Sequence, residues 1–138
     1  MITQSQREML LKEAKEALNS DFAVKNMSNY SSAVLTENGN IYSSASYGSD
    51  THSLTVHGEH AALIHAAAHG EGNIVAIAIA SREDKNHNEF CNPCHMCKQL
   101  LYESSRNSKL PMLILLANNY DEVKEVDLAK MISYPWPA

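Results

Sequence analysis

The chain has 138 residues, 44% of them apolar and 20% charged, and its net charge is −5, from 16 acidic and 11 basic residues. This size and composition predict a single soluble domain over 1–138 with a core large enough to fold without disulfides. The sequence has neither a basic run that would bind a long nucleic acid nor an apolar run long enough to cross a membrane. We therefore expect a small-molecule partner, no nucleic acid and no membrane.

The N-terminal segment predicts an amphipathic helix over 5–18 and not a secretory signal peptide. Residues 5–8, SQRE, fit a capping box. Apolar side chains then recur with helical spacing, at Leu10, Leu11, Ala14, Ala17 and Leu18. The segment lacks the apolar core and the cleavage site of a signal peptide. All three cysteines fall within seven residues, which favours metal or catalytic chemistry over disulfides and predicts a cytoplasmic protein.

The next elements are a hairpin, a loop and an alanine-rich helix. The stretch AVLTENGNIY predicts two short strands joined at 37–40, because Asn38 and Gly39 both tolerate positive φ. Residues 49–56 are polar and predict a loop. His57 to His69 is rich in alanine and is followed by Gly70, a residue that commonly ends helices, so a helix is predicted there.

The second half of the chain alternates buried strands with helices. NIVAIAIAS (73–81) and PMLILLAN (111–118) are apolar runs typical of buried strands. Between them lie a charged, exposed loop at 82–90 and a helix over 94–105, with Pro93 at its start. A short helix is predicted near Val126–Ile132. The order predicts an α/β protein, a three-layer α/β/α sandwich with helices on both faces of the sheet.

Three side chains form a candidate metal site. Cys94 and Cys97 are three residues apart at a helix start, so both sulfurs can face one ion, and the helix N-terminus favours their thiolate forms. His57 offers a nitrogen from the start of another helix. Two sulfurs and one nitrogen suit Zn²⁺, and a fourth position left open for water is typical of catalytic zinc.

Glu59 lies two residues after His57 and can point toward the same ion without binding it. A carboxylate beside water activated by zinc is placed to move protons, which makes Glu59 the candidate catalytic residue. The alternative interpretation is an acid in the first turn that favours the helix dipole.

The two stretches together match the zinc deaminase pattern H-x-E followed by P-C-x-x-C, as His57-Gly58-Glu59 and PCHMC at 93–97. With AVLTENGNIY, HGEHAALIHAAAHGEGNIVAIAIAS and NPCHMCKQLLYE, the chain resembles the small cytidine deaminases, the group that includes blasticidin S deaminase. The resemblance runs from about Ser31 to Glu103. It implies a cytidine deaminase-like mixed sheet and zinc held by His57, Cys94 and Cys97.

The resemblance also implies a reaction and an assembly. Glu59 would pass protons from water to the pyrimidine ring nitrogen and to the leaving ammonia, while oxygen replaces the amino group at C4. The implied partner is a small pyrimidine nucleoside or an analogue. Small members of the family are typically homotetramers, so we expect a homotetramer, or a homodimer, with active sites near subunit interfaces.

The substrate-binding residues are harder to assign, because this sequence departs from the family. The family's Asn-x-Glu, which holds the ribose, falls at Ser46 and Gly48. Two substrates therefore stay open: cytidine or deoxycytidine, and an aminonucleoside antibiotic of the blasticidin type. Our candidates for substrate contacts are Gly58, Asn92, Tyr47 and Trp136. Trp136 is expected at a neighbouring subunit's pocket, or else over its own core.

Other cysteine and histidine residues compete for roles at the site. Cys91 is an alternative ligand, or a thiol that lines the site. His60, His65 and His69 are assigned to the helix surface or an oligomer interface, and His95 is expected to face away. The alternative function is a non-catalytic zinc-binding protein of the same fold, which predicts a closed fourth coordination position.

Overall fold

A computed structural model describes residues 1–82 and 89–138. Most of the loop predicted at 82–90 lies outside the described residues. Within the described ranges, none of the helices combines the length and the apolar character that crossing a membrane requires.

The sheet has five strands in the order β2-β1-β3-β4-β5. Their bounds are β1 Tyr30–Thr36, β2 Ile41–Ala45, β3 Ile74–Ser81, β4 Leu113–Ala117 and β5 Val123–Asp127. β1 is antiparallel to both β2 and β3, β3 and β4 are parallel, and β4 and β5 are antiparallel. The mixed sheet predicted from the sequence is confirmed, and Gly39, at φ +88°, turns the β1–β2 hairpin.

Helices cover both faces of this sheet, which confirms the three-layer arrangement. Their bounds are α1 Gln4–Glu16, α2 Asp21–Lys25, α3 Gly58–Ala68 and α4 His95–Ser108. Successive side chains of β3 point to opposite faces: Ala76 and Ala78 pack with α1, whereas Ile77 and Ile79 pack with α3 and α4. The small alanines let α1 lie close to the sheet, and the isoleucines fill the layer that holds the two helices of the candidate metal site.

The capping box was predicted at the wrong residues, and one short helix was missed. The cap of α1 is Thr3, whose side chain accepts a hydrogen bond from Gln6 N at 3.0 Å, while Gln6 Oε1 accepts one from Thr3 N at 2.9 Å. The sequence T-x-x-Q forms the capping box, not the SQRE segment. The short helix α2, capped by Ser20, was not predicted.

The prediction of a helix near Val126–Ile132 is also wrong. Residues Val123–Asp127 form the edge strand β5, and only Leu128–Met131 make a 3₁₀ turn. Pairing with β4 decides the conformation here, since no apolar alternation in the sequence favours a strand. The strand carries Lys124 and Glu125, charges typical of a sheet edge that does not pair further.

Candidate active site

Two helix starts bring the predicted ligands together. His57 and Cys94 are the residues immediately before α3 and α4, and both have an extended backbone. Cys97 lies one turn into α4 and is fully buried, whereas Cys94 is exposed. Cys91 N donates to Ala117 O (3.4 Å), which ties the segment before α4 to the end of β4.

The three donor atoms have the spacing that zinc needs. His57 Nδ1 lies 3.2 Å from Cys97 Sγ and 3.4 Å from Cys94 Sγ, and the two sulfurs are 3.6 Å apart. A tetrahedral zinc with ordinary bond lengths separates two sulfurs by about 3.8 Å and a sulfur from a nitrogen by about 3.6 Å. The donor set and its spacing therefore fit Zn²⁺. Because Cys94 is exposed, the cluster is open on one side.

The metal-free thiol of Cys97 favours its protonated form. Burial raises the pKa of Cys97 well above its ordinary value, and the neighbouring Glu59 and Cys94 raise it further. A cation at the cluster would replace that thiol proton and supply the charge that stabilises the thiolate. Metal binding is therefore coupled to proton release at Cys97.

Glu59 is buried beside the cluster and is not one of its three donors. Ser32 Oγ on β1 donates a hydrogen bond to Glu59 Oε1 at 3.0 Å. A buried carboxylate next to the donor cluster, with one oxygen held by a hydroxyl, is the arrangement expected of a proton-transfer group.

Gly58 allows α3 to lie directly against β1. A Cβ atom at this position would be 3.0 Å from Ser31 Cα and 3.2 Å from Ser32 N, closer than side chains normally approach backbone. This close contact places both His57 and Glu59, because they flank Gly58 in sequence. Glycine is needed here for space, since its φ lies outside the left-handed region.

A cavity of about 360 Å³ opens onto the cluster. Its lining residues come from β1, the loop between β2 and α3, the start of α3 and the segment before α4: Tyr30, Ser46, Thr55, His57, Gly58, Glu59, Cys91, Asn92 and Cys94. Two of the predicted substrate contacts, Gly58 and Asn92, are therefore at the cavity.

The other two predicted substrate contacts do not line this cavity. Tyr47 stacks on Phe22 with ring centroids 5.0 Å apart, and its backbone pairs with Val56. Trp136 has an exposed side chain, and its carbonyl accepts a hydrogen bond from Gln99 Nε2 at 2.7 Å. Their roles as substrate contacts stay predictions.

Sequence reasoning missed three lining residues, Tyr30, Ser46 and Thr55. Ser46 and Thr55 flank the isolated bridge between Tyr47 and Val56, which brings these two residues to the same cavity. The sequence did contain a signal for Ser46, namely its position: it stands where the family has the asparagine that holds the ribose. The bridge itself has no local sequence signature.

The competing cysteine and histidines lie outside the donor set found among the described residues. Cys91 lines the cavity, where burial, with a smaller effect of Glu59, raises the pKa of its thiol to about 12. The ring of His60 stacks on that of His57 at 5.4 Å, and its buried Nε2 has no hydrogen-bond partner in the described ranges. His65 of α3 and His69, which follows that helix, contact the ring of Tyr42 on β2.

Comparison with known proteins gives the family. The sequence profile described as "Cytidine and deoxycytidylate deaminase zinc-binding region" matches residues 4–113 of the chain. A comparison with curated protein sequences found no significant match.

Solved cytidine deaminases share the fold. The enzyme of Burkholderia pseudomallei is 21% identical, with a TM-score of 0.80 over 98% of this chain and 100% of that one. The enzyme of Mycobacterium tuberculosis is 19% identical, with a TM-score of 0.73 over 96% and 98%. The enzyme of Bacillus anthracis is 19% identical, with a TM-score of 0.66 over 94% and 88%.

The profile match covers most of the chain and includes both helix starts that carry the donor cluster. The chain therefore belongs to the cytidine and deoxycytidylate deaminase family, and it is an enzyme of the zinc-dependent deaminase class.

Proposed function

We propose that the protein hydrolyses the 4-amino group of a cytosine-type base in a small nucleoside, with cytidine or deoxycytidine as the first substrates to test. The observation that carries this proposal is Glu59, a buried carboxylate that lies beside a three-donor metal cluster and lines the same cavity. A purely structural zinc site has no use for a buried carboxylate that does not bind the metal.

In this proposal each residue has one role. His57, Cys94 and Cys97 hold Zn²⁺, which when bound supplies the Lewis acidity that makes water a nucleophile at neutral pH. Glu59 takes one proton from the attacking water and delivers it to the ring nitrogen. It then takes the second proton of that water from the new hydroxyl at C4 and delivers it to the departing amino group, so that it acts as a general base and then as a general acid. One water is consumed, and one ammonia is released for each uracil-type product.

In this proposal the residues that line the cavity bind the base. Gly58 and Asn92 line the cavity. In this proposal their polar groups form hydrogen bonds with the base. Discrimination by such buried hydrogen bonds is strong, because the wrong substrate leaves a polar group without a partner.

A second substrate class is favoured by one observation. Ser46 and Gly48 stand where nucleoside deaminases of this type carry Asn-x-Glu, and the residues with hydroxyl groups that line the cavity are Ser46, Thr55 and Tyr30. A ribose would be held without the usual carboxylate. We therefore propose an aminonucleoside antibiotic of the blasticidin type as the alternative substrate.

We further propose a homotetramer, or a homodimer, in which Trp136 closes a neighbouring subunit's cavity. Large apolar side chains are exposed on the two helices of the site and on the tail: Ile64, Met96, Leu100 and Trp136. Their exposure supports an interface that buries them. Light scattering of the purified protein should give a mass of two or four chains, and a mass of one chain would contradict this part of the proposal. A cytoplasmic location stays a prediction.

The test is ammonia release from zinc-loaded protein incubated separately with cytidine, deoxycytidine, cytosine, blasticidin S and guanine. We expect one of the first two, or blasticidin S, to turn over, and Glu59→Gln to lose that activity while keeping its zinc. Glu8→Gln is the matched control, because Glu8 is an exposed glutamate on α1, on the opposite face of the sheet. Full zinc loading without ammonia from any substrate would support the non-catalytic alternative instead.

A further inference from the structure

Ser32 is a polar residue in the middle of the sheet. It lies on β1, paired with Ser44 of β2 on one side and with Ile79 of β3 on the other, and it is fully buried. A hydroxyl in such a place must find a hydrogen-bond partner, because burying it without one is costly. Its partner is the carboxylate of Glu59, 3.0 Å away.

The geometry makes Ser32 a donor to one specific oxygen. The hydroxyl donates to Oε1 of Glu59, and Glu59 lines the cavity. A carboxylate held at one oxygen cannot rotate freely, so the second oxygen keeps a constant direction for proton transfer. A hydrogen bond from a hydroxyl to a carboxylate is stronger than one between neutral groups, so the contact with Ser32 restrains the side chain of Glu59.

The hydroxyl of Ser32 is not one of the three donors of the metal cluster. Its hydrogen bond to Glu59 therefore does not compete with metal binding.

The backbone around this contact is held tightly. The start of α3 approaches β1 at Ser31 and Ser32 so closely that a Cβ on Gly58 would meet their backbone atoms. Because β1 is paired on both sides, neither the strand nor the helix start can shift easily away from the other. The Ser32–Glu59 hydrogen bond is therefore part of a rigid contact.

We infer that Ser32 is a positioning residue for Glu59: it fixes the carboxylate in the orientation that proton transfer needs. This inference rests on the proposed function, in which Glu59 carries the protons. It assigns to β1, a strand without metal ligands, a direct effect on the rate of the chemical step.

The neighbouring serine offers a matched control. Ser31 is also fully buried on β1, but its side chain points to the opposite face of the sheet and donates to the carbonyl of Ala14 in α1. Ser31→Ala and Ser32→Ala each delete one hydroxyl from adjacent buried positions. They differ in whether the lost hydrogen bond reaches Glu59.

The experiment compares wild type, Ser31→Ala and Ser32→Ala for zinc content, thermal unfolding, kcat and KM. We expect all three to bind one zinc per chain, Ser32→Ala to lose at least tenfold in kcat with KM within about twofold, and Ser31→Ala to keep the wild-type kcat. Ser32→Cys, which keeps a weak donor of similar size, should have a kcat between those of wild type and Ser32→Ala.

The results that would overturn the positioning role of Ser32 differ from the result that would overturn the proposed function. A wild-type kcat in Ser32→Ala, or equal losses in both alanine variants, would overturn the positioning role while leaving the proposed function intact. Loss of zinc from Ser32→Ala and Ser32→Cys would mean that Ser32 only supports the fold, which also overturns the inference. A wild-type protein that releases no ammonia would instead remove the proposed function.

Discussion

Replacing Gly58 by alanine tests the close contact that positions the site. The new Cβ would lie 3.0 Å from Ser31 Cα, 3.1 Å from Ser31 C and 3.2 Å from Ser32 N. Carbon atoms in ordinary contact are about 3.5–4.0 Å apart, so α3 must withdraw by roughly half an ångström. β1 cannot withdraw instead, because hydrogen bonds to β2 and β3 hold it on both sides.

The expected change in the free energy of unfolding of Gly58→Ala follows from two opposing effects. Overpacking of this kind costs about 1–3 kcal/mol. Alanine stabilises a helix interior by up to about 1 kcal/mol relative to glycine, and by less at the first helical residue, which Gly58 is. The expected net loss is about 1–2 kcal/mol, a fall in Tm of about 3–7 °C for a domain of this size. Since misplacement by about 1 Å can cost 100-fold in rate, we expect kcat to fall at least tenfold.

Thermal unfolding and kcat at saturating zinc measure both effects. Gly72→Ala is the matched control, because a Cβ at Gly72 meets no atom within 4 Å and its φ is outside the left-handed region. This control should keep both its Tm and its kcat. If Gly58→Ala is as stable and as active as wild type, the close contact does not position Glu59, and the reasoning is wrong.

Two further predictions concern protons and thiols. Hydrogen bonds from Tyr42, then Asn40 and Thr36, lower the pKa of Glu71 from 4.5 to about 2 in the folded protein. The stabilisation of the fold by ionised Glu71 is therefore complete above pH 4.5 and is lost as the pH falls from about 4.5 to about 2. The free energy of unfolding, measured in urea, should therefore fall less steeply over this pH range in Glu71→Gln than in wild type. Parallel plots of unfolding free energy against pH for the two proteins would contradict this prediction. Separately, zinc should reduce the number of thiols that react with a thiol reagent from three to one, and three equally reactive thiols in the zinc-loaded protein would contradict the ligand set.

The sequence was most informative where the signals are local. The spacing of Cys94 and Cys97, the proline before them and the glutamate two residues after His57 are all short patterns, and the structure brings the three donor atoms within 4.8 Å of one another. The buried strands and the hairpin were predictable for the same reason, since apolar runs and Asn-Gly act over a few residues.

The features that were missed depend on contacts between distant segments. β5 exists because β4 pairs with it, although its own residues show no strand pattern. The partner of Glu59 lies 27 residues away on another element, and no spacing rule connects Ser32 to it. The cavity residues Tyr30, Ser46 and Thr55 likewise meet only after the hairpin and the bridge between Tyr47 and Val56 have formed.

The central claim is that Glu59 moves protons for a hydrolysis at the zinc cluster, and its most direct test is kcat for zinc-loaded wild type and Glu59→Gln on the substrate that turns over. A positioned acid–base group contributes about 100- to 10,000-fold, so Glu59→Gln should lose at least 100-fold in kcat while binding one zinc per chain. Equal rates of ammonia release from the two zinc-loaded proteins would contradict the account.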